Sequence, residues 1–361
     1  MGVRYSCKQT STRLTVNLSA IRENHADLSR RVGKAECAAV VKADAYGLGM
    51  REVASSLAGS VQTFFVAQPE EGRQLRVFLP DKRIFVLHGF LPGQSEFMIR
   101  HGLIPVLNSL QQVREWRSFC QREGRNYPAA LQFDTGMSRF GISSDEMHDD
   151  AVIGLKPVLV LSHLACADIS SDCANQEQLR RFLEMSSVFP GVPRSLAASS
   201  GIFLGESYHF EMVRPGIALY GLAPGKEEGQ LRSAVTLDAR ILQIRHLKQG
   251  DRIGYGLTYR AKRPMCVATV GIGYADGIFR SFSESGALWI KGRRLPVLGR
   301  ISMDSLSVDL TDIPAGSLKE GDWVNVIGDD QALDQMAKSV GTIGYEILTS
   351  LGDRFDRLYQ D

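Results

Sequence analysis

The sequence lacks any apolar stretch long enough to span a bilayer, and its first thirteen residues lack the hydrophobic run of a secretory signal. Neither sign of charge predominates: 42 basic residues against 40 acidic ones leave a formal net charge of +2. No basic run interleaved with aromatics occurs, so no nucleic-acid partner is expected. Cysteine is scarce. The six, at positions 7, 37, 120, 166, 173 and 266, form no Cys-x-x-Cys pair. That is the pattern of reduced thiols, not of a disulfide framework or a zinc site, and no metal is expected. Together these absences point to a cytoplasmic protein with no membrane partner. Repeats and low-complexity segments are missing too. Gly47-Leu48-Gly49 lacks the third glycine of a dinucleotide turn, which argues against a doubly wound sheet. Met1-Gly2 with Ser6 fits the loose N-myristoylation pattern, a short match that nothing else supports.

What is present is an ordinary globular composition, 44% hydrophobic and 23% charged over 361 residues, enough for two domains. From about residue 13 to 220, short apolar runs alternate with amphipathic segments such as 111–123 and 176–189. The runs fall at 37–42, 63–67, 84–88, 103–107, 130–134, 158–163, 195–199 and 214–220. Eight such units predict a parallel sheet closed into a (β/α)8 TIM-like barrel. After Gly221 the texture changes. Residues 223–232 read as a Gly-, Pro- and charge-rich boundary. Beyond them apolar residues recur at period two (Leu237, Ala239, Ile241; Leu306, Val308, Leu310), with turns at Gly250-Asp251 and Gly321-Asp322. This predicts a C-terminal β-strand domain. A helix is expected at 331–340 and an amphipathic tail at 345–359. The expected division is an N-terminal extension at 1–11 packing with the C-terminal domain, a barrel at 12–232 and a β domain at 233–361.

One residue of the first barrel run is unusual. Ala38 to Val41 is apolar and β-branched, and Lys42 closes it. Burial penalises a lysine's charged form, so a strand-end lysine is either a snorkelling side chain or a nucleophilic amine suited to carbonyl chemistry. Barrel active sites lie at the carboxyl ends of the strands. Those ends carry Lys42, His88, Asn108, Arg139, His163, Ser200 and Arg214. Each alone could be structural; their coincidence on one face is harder to explain that way. The loops after strands seven and eight, Ala197–Gly201 and Arg214–Ile217, offer small residues and Ser hydroxyls to an anion. A strand-one lysine facing such loops fits pyridoxal phosphate (PLP).

Six stretches then converge. Val40-Val-Lys-Ala-Asp-Ala-Tyr-Gly-Leu-Gly49 resembles the PLP-lysine signature of bacterial alanine racemases. Asp134-Thr-Gly-Met-Ser-Arg-Phe-Gly141, Ser162-His-Leu and Val213-Arg-Pro-Gly-Ile-Ala-Leu-Tyr-Gly221 resemble that family as well. So do Gly273-Tyr-Ala-Asp-Gly277 and Gly299-Arg-Ile-Ser-Met-Asp304, and the order and spacing hold over nearly the whole chain.

The resemblance implies L/D-alanine interconversion, for peptidoglycan or alanine catabolism, by a homodimer with shared active sites. It implies that Lys42 carries the PLP and that Tyr274, from the other subunit, is the second base. Tyr46, Ser200, Gly216, Ile217 and Tyr345 would hold the phosphate. Arg214 would bond the pyridine nitrogen, and His163 would sit beside the ring. Arg139 would steady the PLP phenolate and the substrate carboxylate, and Met303 of the other subunit would offer its N–H to that carboxylate. Asp168, Arg300 and Ile343 match positions lining the corridor to the site. Two bases suit the chemistry, because inverting Cα removes a proton from one face and delivers one to the other. One departure is Gln132, where the family often has a lysine modified to a carbamate that orients the arginine; glutamine cannot carry that group. Three rivals share parts of the pattern. A non-catalytic PLP-binding barrel should lack the second domain. A PLP decarboxylase of this architecture would have an acidic residue in place of Arg214. A broad-specificity or serine racemase would share the pattern, and its periplasmic members would carry a signal peptide.

Overall fold

The computed structural model describes residues 10–222 and 231–361. It comprises two compact units, one of Ala20–Arg232 and one of Ser233–Asp361 with the N-terminal residues through Ser19.

In the first unit, Ala39–Val40, Thr63–Val66, Arg83–Val86, Ile104–Leu107, Ala130–Gln132, Leu159–Leu161 and Arg194–Ser195 pair in parallel in that order. Met212–Val213 closes the ring. It pairs with Glu36–Cys37, the start of the first strand, while the Arg214 N–H donates to the Ala197 carbonyl at 2.9 Å. The result is the expected (β/α)8 barrel. Its strands are apolar throughout because both faces are covered: all four residues of Thr63–Val66 and of Ile104–Leu107 are buried. The helices start where the sequence caps them. Ser109 accepts the Gln112 N–H to open Leu110–Arg122, which buries Val113, Trp116, Phe119 and Cys120 at helical spacing. Asp172 caps Cys173–Ser186, and Pro69 starts Pro69–Phe78 behind a Gln68/Glu71 capping box.

Two expectations need correction. The eighth strand lies at Met212–Val213, and Ile217–Tyr220 is a 3-10 helix, not the tail of a strand spanning 214–220. Pro215 has no N–H for a ladder and Gly216 leaves the extended region, so the run stops early. The barrel also begins later than residue 12. Thr12–Asn17 pairs antiparallel with Val235–Leu247 and parallel with Asp356–Gln360, so residues 12–19 belong to the β unit. Residues 1–9, including the Met1-Gly2 pattern, Cys7 and most of the expected extension, lie outside the described residues, as do 223–230 of the expected boundary.

The β unit is organised by its long strand, Val235–Leu247. The first half pairs with Trp323–Ile327 and the second with Met265–Val270, the register shifting between Ile241 and Gln243. Ala287–Ile290, Arg293–Leu298 and Leu306–Asp309 complete the circuit. Leu237, Ala239 and Ile241 face inward and their neighbours outward, the alternation the sequence carries. The expected helix is Leu333–Ser339, and the tail resolves into a helix, Gly344–Ser350, and the strand Asp356–Gln360. Among the described residues no helix is long and apolar enough to cross a membrane.

Candidate active site

Lys42 stands where the first barrel strand ends, the Val41 N–H still donating to the Phe65 carbonyl at 2.9 Å. The next four residues, Ala43, Asp44, Ala45 and Tyr46, all have positive φ, between 52° and 59°. A left-handed turn of L-residues costs about 1–2 kcal/mol per residue, so it persists only where neighbours hold it. Here the Ala45 N–H returns to the Val41 carbonyl at 3.0 Å, and the Gly49 N–H reaches the Asp44 carbonyl at 2.9 Å. The Asp44 carboxylate accepts the Met50 N–H at 2.7 Å, and Glu71 accepts the Ala43 N–H at 2.7 Å. The turn buries Tyr46, whose hydroxyl occupies the space a Cβ on Gly216 would need, and whose ring lies 5.1 Å from that of Tyr220. Only glycine allows this approach between the ends of strands one and eight. Burial, and then the Arg139 guanidinium, hold the Lys42 ammonium below its ordinary pKa, against the opposing charge of Glu71.

Arg214 is buried inside the same end of the barrel. One terminal nitrogen donates to the Ser195 carbonyl (2.9 Å) and hydroxyl (2.5 Å), the other to the Ser162 carbonyl (2.7 Å). The Ser195 hydroxyl in turn donates to the Met212 carbonyl at 2.7 Å. Desolvation lowers the Arg214 pKa to about 10, which leaves it cationic at neutral pH. His163 lies beside this charge. Desolvation, then Arg214, Arg139 and Lys42, push its imidazole down to about 3, so it is neutral. Gln178 fixes its segment, donating to the His163 carbonyl at 3.0 Å and to the Thr135 hydroxyl at 3.2 Å, while Thr135 and Ser162 share a hydrogen bond of 2.8 Å.

The two anion-loop candidates meet through Ser199, whose hydroxyl accepts the Gly216 N–H at 2.9 Å and the Ala218 N–H at 3.2 Å. Ser200 opens a 3-10 helix next to it, and Ile217 follows Gly216, fully buried. Arg139 is exposed, on a loop that Asp134 shapes by accepting the N–H groups of Gly136, Met137 and Ser138. Gln132 donates to the Phe140 carbonyl at 3.2 Å, so its amide braces the loop one residue from Arg139. The remaining strand-end candidates differ. The Asn108 amide bonds the Leu87 and Val106 carbonyls, a structural use, and His88 is exposed with its ring 5.7 Å from that of Phe140. Asp168 is exposed on the loop beyond His163.

In the β unit, Tyr274 and Met303 are brought together. The Tyr274 N–H donates to the Ser302 carbonyl at 3.1 Å and the Ala275 N–H to the Met303 carbonyl at 3.0 Å. Asp276 accepts the Gly273 N–H at 2.9 Å, and Arg354 bridges Asp276 and Asp304. Both candidates are exposed, Tyr274 to 43% and Met303 to 52%. Arg300 packs against Gly256, Ile343 is exposed, and Tyr345 lies in the first turn of Gly344–Ser350.

Set against known proteins, residues 16–224 match the alanine racemase N-terminal domain and residues 234–359 the alanine racemase C-terminal domain. The chain belongs to the alanine racemase family. An alanine racemase of Rhizobium meliloti is 43% identical, the alignment covering 97% of each chain. One of Brucella canis is 42% identical over 96% of this chain and 93% of its own. The crystal structure of alanine racemase from Bartonella henselae with covalently bound pyridoxal phosphate superposes with a TM-score of 0.93 at 40% identity, covering 97% of this chain and 99% of that one. Within this alanine racemase fold, sequence reasoning missed Ser195 and Glu71, which hold candidate residues from behind, and it read Ser199 as an anion donor where the hydroxyl links the two loops. A small hydroxyl on a strand end carries no spacing signal. Glu71 has one, the Pro-Glu-Glu start of a helix directly after a strand, but it reads as capping alone.

Proposed function

We propose that this chain interconverts L- and D-alanine using pyridoxal phosphate attached at Lys42. The observation that carries the reading is the joint placement, at one barrel end, of a lysine with a depressed pKa, a buried Arg214 held through both terminal nitrogens, and the Ser199-linked loops after strands seven and eight. The pocket fits the cofactor's parts. Gly216 leaves room for the Tyr46 hydroxyl beside the two loops that carry Ser200 and Ile217, a set suited to a phosphate. The Gly216 N–H is itself donated to Ser199, so Gly216 serves that set by its small size first.

Bound PLP acidifies the Cα proton of an attached amino acid by drawing charge into its ring. Arg214 holds its own proton tightly, even at a pKa of about 10, and so keeps the ring nitrogen a hydrogen-bond acceptor rather than a cation. Lys42 Nζ, a free amine once the substrate amine has taken its place on the cofactor and with its ammonium destabilised, would take or return the Cα proton on one face. Tyr274 Oη does the same on the other face, contributed by a second copy of the chain. Arg139, with the Met303 N–H of the second copy, binds the carboxylate. The exposure of Tyr274 and Met303 on adjoining turns supports a surface completed by a twin subunit. The free thiols at Cys37, Cys120, Cys166, Cys173 and Cys266 support a reducing compartment, the cytoplasm. D-alanine for peptidoglycan is the role we assign, a biosynthetic alanine racemase of Agrobacterium fabrum being 42% identical.

The test is borohydride reduction of the purified protein followed by peptide mapping, with L-to-D conversion measured on alanine and on serine. A pyridoxyl group on Lys42 and turnover favouring alanine are expected. A label on another lysine, or equal turnover of serine, contradicts the reading.

A further inference from the structure

We propose that Glu71 is a positioning residue for Lys42: its carboxylate clamps the left-handed turn that carries the amine and sets a negative charge behind it. The inference rests on the reading of Lys42 as the residue that bears the cofactor.

The clamp is visible in how the two carboxylate oxygens divide their work. Oε2 accepts the N–H groups of Ala67 (2.7 Å) and Gln68 (3.0 Å), at the junction of the second barrel strand and the helix Pro69–Phe78. That half is ordinary helix capping. Oε1 accepts the N–H of Ala43 at 2.7 Å, 28 residues away and directly after Lys42. The helix has no need of this second bond. Ala43 is exposed and opens a run of four left-handed L-residues that would relax to right-handed backbone if released. A charged acceptor at 2.7 Å is the strong kind of hydrogen bond, and it ties this turn to the rim of strand two.

The same oxygen pair supplies charge. The groups acting on Lys42 include Arg139, from the loop after Ala130–Gln132, and His163, beyond Leu159–Leu161, with Arg214 beside it. The imidazole is neutral and the two guanidiniums are cations. Asp44, on the turn itself, directs its carboxylate to the Met50 N–H. Glu71 is the anion whose field reaches Lys42, and it raises the amine's pKa where burial and Arg139 lower it.

Glutamine at position 71 has one acceptor oxygen and turns its NH2 against N–H donors, so it cannot hold Ala43 and the Ala67–Gln68 pair together. Aspartate keeps the charge and shortens the reach. The experiment compares wild-type holoenzyme with Glu71→Gln and Glu71→Asp. Borohydride mapping locates the cofactor, hydroxylamine measures how fast it is stripped, a pH titration gives the midpoint of the lysine–cofactor absorbance, and thermal melting gives the Tm. In Glu71→Gln the label should stay on Lys42 while stripping accelerates roughly tenfold, the loss expected for one hydrogen bond to a charged group. The midpoint should move to lower pH by about 0.5–1 unit as the neighbouring anion disappears. Glu71→Asp should strip faster with its midpoint near that of the wild type, and it alone decides the matter if Glu71→Gln does not fold. Wild-type stripping and midpoint, with the label on Lys42 and only the Tm lowered, would assign Glu71 to helix capping and overturn the proposal. A wild-type label away from Lys42 would overturn the underlying reading instead.

Discussion

A buried arginine is held by its acceptors, and Arg214 depends on the hydroxyl of Ser195 more than on any charge partner. Ser195→Ala removes an acceptor from the guanidinium and a donor from the Met212 carbonyl, both fully enclosed. It should lower stability by about 1–3 kcal/mol in urea denaturation. Turnover should fall with it, because the guanidinium loses its seat. A variant with unchanged stability and turnover would mean that Arg214 is fixed elsewhere. His163 makes a prediction of opposite character. Its pKa drops from 6.5 toward about 3, so between those values the unfolded chain binds the proton and the folded chain does not. The stability that His163 contributes is complete above pH 6.5 and fades as the pH falls toward 3. His163→Asn should make the acid limb of the stability profile shallower. An acid limb of unchanged slope would show that the imidazole is not held neutral. Gln132 yields a third. Its amide donates to the Phe140 carbonyl and so braces the Arg139 loop without a carbamate. Turnover should not change when bicarbonate is removed or restored; a gain on adding it would show that a lysine elsewhere takes the modified role.

At the scale of elements, the turn after strand one and the loop after strand eight are a matched pair. Gly216→Ala would press a methyl group into the Tyr46 phenol, an overpacking of about 1–3 kcal/mol. Cofactor affinity, measured by titrating apoenzyme, should weaken by about tenfold or more if that strain falls on the bound state. Unchanged affinity would mean that Tyr46 swings clear at no cost. Neither the turn nor the pair could be read from the chain. A run of Ala-Asp-Ala-Tyr has no residue that demands positive φ, so only the long-range bond from Glu71 and the local one from Asp44 to Met50 reveal it. The barrel strands were legible because burial on both faces writes itself as unbroken β-branched and aromatic runs, as in Thr-Phe-Phe-Val at 63–66. The eighth run misled, since Val213 and Ile217–Tyr220 are equally apolar whether they form a strand or a 3-10 turn. Thr12–Asn17 alternates cleanly between buried and half-buried positions, the pattern of a one-face sheet strand. Sequence adjacency assigned it to the barrel, and only pairing with residues more than 200 positions away places it in the β unit. Lys42, Arg214 and His163 were legible as strand ends on one face, whereas the hydroxyls and the carboxylate that hold them were not.

At the scale of the whole molecule, the proposed reaction needs two bases on opposite faces of one carbon, and the two candidates, Lys42 and Tyr274, lie on separate units. Lys42 is set in the mouth of the barrel. Tyr274 stands exposed on a turn that Gly273 and Asp276 hold rigidly against the Ser302–Met303 backbone. A two-fold dimer in which each β unit closes its partner's barrel would complete two identical sites. Mixing two inactive variants, Lys42→Ala and Tyr274→Phe, tests that arrangement most directly. A heterodimer then carries both lesions in one site and neither in the other. Equal amounts allowed to exchange subunits make about half of the dimers mixed, so about a quarter of all sites should regain full racemase activity. A mixture that stays inactive after subunit exchange has been demonstrated would mean that both bases act within one chain.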